Sequence, residues 1–168
     1  MPFAVHIRQR CEVVVIEKKD RLPWQFIFHI EKELRNLAPD LVNTHLFGAD
    51  LWGRIAAVRA RIPVITTEHN VNYGESGLRH LVKRFLRPLS ACYIAPSFAI
   101  SRYMQSAYSV GADDIAHVPY GIEMDEFLAL PTPSFVSPHP LRLLFFGRLT
   151  HQKGADILLH ALRFCADL

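Results

Sequence analysis

Short runs of β-branched and other apolar residues alternate with longer stretches of helical periodicity along the 168-residue chain. That alternation restricts it to βα units around a parallel sheet. CEVVVIE (11–17) reads as a first strand. Phe26, Ile27, Ile30, Leu34 and Leu37 then recur at helical spacing, and Pro39 ends that helix. Leu41 and Val42 carry a strand to Asn43, Thr44 and His45. In LFGADLWGRIAAVRARIP (46–63), Leu51, Ile55 and Val58 fall on one helical face, and Pro63 closes the run. VITTEHN (64–70) is the next strand, and GLRHLVKRFLRP (77–88) follows a polar loop as a basic amphipathic helix. CYIA (92–95) is the fourth strand. Pro96-Ser97 then offers a cap to a helix that Gly111 terminates, and IAHV (115–118) is the fifth strand.

The segment PTPSFVSPHP (131–140) contains four of the eleven prolines and little that can pack, so it reads as a linker. Beyond it, the strand LRLLFF (141–146) and the helix DILLHALRFC (156–165) open a second α/β domain. The expected organisation is therefore 1–130, a linker at 131–140, and 141–168. A balance of 19 Lys+Arg against 16 Asp+Glu gives a formal charge of +3, too mild to argue for nucleic acid. Cys11, Cys92 and Cys165 are odd in number and lack C-x-x-C spacing, which suggests neither a disulfide framework nor a zinc ribbon and points to a reducing compartment. Nowhere do about eighteen apolar residues run together, so no spanning segment is expected and the location is read as cytoplasmic.

In an open parallel sheet, ligands gather beyond the carboxyl ends of the strands, where loops and helix N-termini converge. His45 and His69 both occupy such positions, with Asn43, Glu68 and Asn70 as polar neighbours. A neutral imidazole there can take a proton from a sugar hydroxyl or donate a hydrogen bond to it. The plainer reading, in which each imidazole only hydrogen-bonds the end of its strand, stays open, more so for His45 than for His69. Zinc is disfavoured, since His45, Glu68 and His69 lack helical H-E-x-x-H spacing. No G-x-S-x-G elbow marks a nucleophile.

FFGRLTHQKG (145–154) is richer in signal. A glycine such as Gly147 lets backbone approach phosphate oxygens, the following helix offers free N–H groups, and Arg148 with Lys153 can offset a diphosphate's charge. It is neither a P-loop nor a dinucleotide fingerprint, and an ordinary basic surface turn is the alternative. In the helix at 77–88, Leu78, Leu81, Val82, Phe85 and Leu86 form an apolar side ringed by Arg79, His80, Lys83, Arg84 and Arg87. Residues 78–87 can rest on anionic lipid at the inner face of a membrane, or form a packed helix with a solvated face, which is the preferred reading. No aromatic stripe accompanies these charges, which speaks against nucleic acid.

From residue 38 onward the chain resembles the retaining GT-B glycosyltransferases called group 1 or family 4. The blocks are APDLVNTH, RIPVITTEHN, YIAPSFAIS, IAHVPYGIEMDEF and LRLLFFGRLTHQKGADILLHAL, in the family's order. The resemblance implies an α/β fold of two Rossmann-like domains facing a cleft, here an incomplete acceptor-side domain and the first βα unit of the donor domain. It implies transfer of a sugar, of hexosyltransferase type, from a nucleotide-diphosphate sugar to a hydroxyl of a carbohydrate or lipid-linked acceptor. Anomeric configuration would be retained, without cofactor or metal, in cell-envelope polysaccharide or glycolipid synthesis. On this resemblance His69 is the catalytic histidine near donor sugar and acceptor, and Gly147, Arg148 and Lys153 are the donor-diphosphate contacts. His45, Glu68, Asn70, Ser97 and Gly121 lie on the acceptor side of the cleft; for Ser97 a helix cap and for Gly121 a turn are the plainer readings. VPYGIE departs from the pattern, with Tyr120 where asparagine is common and Glu123 where aspartate is common. The family's opening Gly-rich strand-loop and its E-x7-E region have no counterpart, so the chain is expected to be a truncated transferase, inactive or very weak alone. The rival expectations are a shortened binding or regulatory protein, one subunit of a split transferase, and, ranked low, a related epimerase.

Overall fold

A computed structural model of the chain describes residues 10–17, 23–71, 77–122, 124–131 and 143–165. It divides into two units, residues 1–122 and 123–168, each taken by itself.

The first unit is an α/β domain with, among its described residues, four parallel strands in sequential order: β1 (Val42–His45), β2 (Val64–Thr67), β3 (Cys92–Ala95) and β4 (Ile115–His117). The register sets His45 beside Thr67, Thr67 beside Ile94, and Ala95 beside His117, so the strands finish nearly level. Each crossover is helical, as parallel pairing requires. α1 (Pro23–Leu37) precedes β1, α2 (Leu46–Ala60) joins β1 to β2, α3 (Gly77–Leu86) joins β2 to β3, and α4 (Phe98–Tyr108) joins β3 to β4. α1 packs on α2, α2 lies against β1 and β2, and α4 lies against β3 and β4.

The apolar core is built from Tyr93 and Ala95 of β3 with Ile100, Tyr103, Met104, Tyr108 and Val110. Beneath β1 to β3 a buried polar set joins Val64, Ala56 and Ala57. The buried stripe of α2 is Asp50, Arg54, Ala56 and Ala57, not the Leu51, Ile55 and Val58 face, and Val58 is exposed. Arg54 donates to the Leu86 carbonyl at 2.9 Å, to the Tyr93 hydroxyl at 3.1 Å and to the Asp50 carboxylate. Thr44 Oγ1 completes the set, donating to Asp50 at 3.1 Å and meeting Thr66 Oγ1 at 3.1 Å. The charge pairing with Asp50 and the bonds from both Nη atoms of Arg54 are what let a charged pair take the face an apolar count gives to leucine and isoleucine, with Arg54 Nε left unpartnered. Burial pushes the Tyr93 phenol above its ordinary value, against the neighbouring Arg54 charge. Between α1 and α2, Glu31 accepts from Arg35 Nη2 at 2.9 Å and Arg59 Nε at 2.7 Å. Those bonds hold its carboxyl below the usual carboxylate range.

Several boundaries differ from the sequence expectations. Residues 12–17 carry no regular structure, so CEVVVIE is not a strand: a β-branched run becomes one only where a neighbour pairs with it. β2 stops at Thr67, and 68–70 leave the sheet. The left-handed residue ending α4 is Ser109 (φ 57°), whose N–H returns to the Met104 carbonyl, rather than Gly111. Ser97 caps the same helix, its Oγ accepting from Ile100 N at 3.3 Å.

Among its described residues the second unit holds α5 (Met124–Leu128), an irregular stretch at 143–150, a 3-10 turn (His151–Lys153) and α6 (Ala155–Phe164). Residues 143–146 are not a strand, with Leu144 and Phe146 90% and 97% exposed. Residues 141–142, Glu123, the loop around Gly74 and the linker from 132 to 140 lie outside the described residues.

Candidate functional site

The end of β1 and the segments that follow β2 and β4 bring His45, His69 and Tyr120 together at the carboxyl edge of the sheet. β1 runs directly into α2 at His45, and the turn is made by Leu46 at φ 67°, a left-handed conformation that costs a leucine about 1–2 kcal/mol. The imidazole of His45 is thereby left exposed at the strand end. One residue past β2, Glu68 N–H still donates to the Ile94 carbonyl at 3.2 Å, and His69 follows it off the sheet. After β4, Val118 N–H donates to the Ala95 carbonyl at 3.0 Å, which anchors the loop carrying Tyr120.

His45 Nδ1 stands 2.8 Å from His69 Nε2, and His69 Nδ1 stands 2.5 Å from the Tyr120 hydroxyl. The His69 and Tyr120 rings are parallel to within 1°, and the two imidazoles are inclined by 27°. His69 is half-buried between its exposed partners, with both ring nitrogens engaged. Beside them Thr67 Oγ1 donates to Asn43 Oδ1 at 3.0 Å, tying the ends of β1 and β2 together.

The other candidates of this unit lie apart from that chain of bonds. Glu68 accepts from Lys83 Nζ at 2.7 Å, and Lys83 also donates to the Tyr108 hydroxyl at 2.9 Å, so this carboxylate serves an ion pair with α3. Lys83 is buried, whereas Leu78, Leu81 and Phe85 of α3 are 71%, 49% and 75% exposed. The helix therefore turns part of its basic side inward and much of its apolar side outward. Asn70 and Gly121 are exposed, and nothing lies within 4 Å of a Cβ placed on Gly121. Phe98, at the start of α4, stacks on His117 at the end of β4, ring centroids 4.3 Å apart. No local sequence signal marks that pair, and Tyr120 stands out in the sequence only as a departure from the family pattern.

In the second unit the GRLTHQKG turn is folded on its own backbone: Thr150 N–H donates to the Arg148 carbonyl at 2.9 Å, and Lys153 N–H to the Thr150 carbonyl at 2.9 Å. Arg148 and Lys153 are exposed. Gly154, at φ 66°, supplies the left-handed residue that starts α6. Gly147 needs no such freedom for space, since a Cβ there would meet Phe145 at an ordinary 3.5 Å. An open cleft of about 440 Å³ beside the turn is lined by Leu149, Thr150, His151, Ala155, Asp156 and Leu159.

Residues 3–126 match the sequence model of Glycosyltransferase Family 4, more than half of the chain. The chain belongs to Glycosyltransferase Family 4. No curated protein sequence matches this family member. Among solved structures it is similar to HepE of Anabaena. Against HepE with UDP and glucose the TM-score is 0.65 at 19% identity, covering 74% of this chain and 35% of that one. Against HepE with UDP-glucose it is 0.61 at 18% identity, with the same coverages of 74% and 35%. With UDP alone it is 0.56 at 19% identity, covering 60% and 28%. The likeness places the Family 4 chain in a Rossmann-like α/β fold. It spans about a third of the length of HepE.

Proposed function

We propose that this Family 4 chain serves glycosyl transfer from a nucleotide-diphosphate sugar to an acceptor hydroxyl, of hexosyltransferase type, with retained anomeric configuration. The carrying observation is the convergence of His45, His69 and Tyr120 from three strand ends at the carboxyl edge of a parallel sheet, where such sheets take their ligands. These groups donate to and accept from hydroxyls, which suits a carbohydrate or lipid-linked acceptor, as in cell-envelope polysaccharide or glycolipid synthesis. The solved HepE structures hold UDP and UDP-glucose, which supports a nucleotide-sugar donor by analogy. In the second unit, exposed Arg148 and Lys153 are the residues to receive its diphosphate. Fixed cations there would stabilise charge growing on the leaving diphosphate, a role that calls for no metal.

No helix among the described residues is long and apolar enough to cross a membrane. Peripheral contact through 78–87 at the inner membrane face is supported by the outward Leu78, Leu81 and Phe85 beside exposed Arg84.

Calorimetric titration of the folded chain, with UDP-glucose and separately with saccharide acceptors, tests the reading. The Arg148→Ala/Lys153→Ala variant should lose tenfold or more in UDP-glucose affinity, since charge-assisted bonds contribute about 1.5–3 kcal/mol each. His69→Ala should weaken the acceptor. A folded chain that saturates with neither ligand would sink the proposal. Saturable acceptor binding with no transfer, even at high chain concentration, would favour a binding protein or one part of a split transferase.

A further inference from the structure

We propose that His45, His69 and Tyr120 form a three-member proton relay whose outer members, rather than His69, exchange protons with a bound hydroxyl. The inference rests on the acceptor reading above for the identity of that hydroxyl. An imidazole has two ring nitrogens, and those of His69 are both committed, Nε2 to His45 Nδ1 at 2.8 Å and Nδ1 to the Tyr120 hydroxyl at 2.5 Å. A ligand can bind His69 only by displacing one of these partners. At the two ends the ring of His45 is exposed, and Tyr120 is 63% exposed.

With three neutral groups the bonds can run in two directions. In the first, Tyr120 O–H donates to His69 Nδ1, His69 Nε2–H donates to His45 Nδ1, and His45 presents an N–H at Nε2. In the second, His45 Nδ1–H donates to His69 Nε2, and His69 Nδ1–H donates to the Tyr120 oxygen. Tyr120 then presents its O–H outward, and His45 Nε2 presents a lone pair. Passage from the second to the first balances. A hydroxyl gives its proton to His45 Nε2, the Nδ1 proton of His45 moves to His69 Nε2, and the Nδ1 proton of His69 moves to the Tyr120 oxygen. The original phenolic proton leaves to solvent water at the exposed Tyr120 end, and the oxygen of the hydroxyl keeps the electron pair of its broken O–H bond. One proton enters, one leaves, and every ring ends as neutral as it began, so neither imidazolium nor phenolate has to persist.

The bonded chain is read directly by nuclear magnetic resonance on the ¹⁵N-labelled 168-residue protein. A ¹⁵N–¹⁵N coupling across the bond between His45 Nδ1 and His69 Nε2 is expected, with the His69 ring-nitrogen shifts averaged between protonated and bare values. Tyr120→Phe should keep the coupling and collapse His69 to one tautomer. His45→Phe, at an equally exposed position, should abolish the coupling and leave the Tyr120 contact. Saturating methyl glucoside should move the resonances of His45 Nε2 and the Tyr120 ring more than those of His69. Absence of the coupling, His69 shifts indifferent to Tyr120→Phe, or a ligand response largest at His69 would each overturn the relay. If the coupling is present but methyl glucoside and longer saccharides fail to bind, the acceptor reading fails and the relay stands; binding without coupling has the opposite meaning.

Discussion

Arg54 reaches back one helical turn to Asp50, and both side chains are almost wholly buried, at 1% and 6% exposure. Neither charge could sit there alone. Asp50→Ala leaves a buried guanidinium short of its counter-charge, and a loss of about 3–5 kcal/mol is expected in urea unfolding. The double variant Asp50→Leu/Arg54→Met should lose markedly less, because it removes both charges while keeping volume. If the double variant is as unstable as Asp50→Ala, the pair is not the coupled unit described.

Glu31 gives a stability term with a definite pH sign. Arg35 and then Arg59 lower its carboxyl below the ordinary value of 4.5. A folded-state pKa below the unfolded one means the contribution is complete above the unfolded value and is lost as pH falls through the folded one. Glu31→Gln should therefore be less stable than the parent at pH 7. The gap should begin to close below about pH 4.5 and vanish at lower pH. A gap that widens on acidification would contradict the assignment.

Glu68 was a candidate for the acceptor site, but its carboxylate lies 2.7 Å from Lys83 Nζ, with side-chain exposures of 12% and 5%. Its role is expected to register in stability rather than ligand affinity. Lys83→Ala strands Glu68 in a largely buried place, and about 3 kcal/mol or more should be lost. Glu68→Gln should likewise lower the urea midpoint while acceptor affinity stays within about twofold, a change of only about 0.4 kcal/mol. A large affinity loss at unchanged stability would return Glu68 to the site.

What could be read from the chain divides along physical lines. The CYIA run coincides to the residue with β3, because a short buried run between turn signals has few other fates. CEVVVIE has equally good strand chemistry and forms no strand, since pairing depends on a distant neighbour that local sequence does not encode. The buried stripe of α2 sits one residue away from the apolar one because Asp50 and Arg54 pair their charges, and an apolar count has no way to register that. The edge location of His45 and His69 was legible from strand ends alone. Their mutual bond was not, nor was the partnership of His69 with Tyr120, fifty-one residues further along.

The outward face of α3 gives the last prediction. Leu78 and Phe85 stand outward at 71% and 75% exposure while Lys83 is buried. Burying a phenylalanine or leucine fully is worth about 1.5–3 kcal/mol, and attraction of arginines to anionic headgroups adds to it. The chain should sediment with phosphatidylglycerol vesicles, less so with phosphatidylcholine vesicles, and its affinity should fall as salt is raised. Leu81→Asp/Phe85→Asp should lower vesicle affinity by tenfold or more, and Arg84→Gln should remove part of the salt dependence. Both changes are at exposed positions, so circular dichroism should show the fold intact. Vesicle binding that survives the double aspartate variant would place the membrane contact elsewhere, and no binding to anionic vesicles at low salt would remove it altogether.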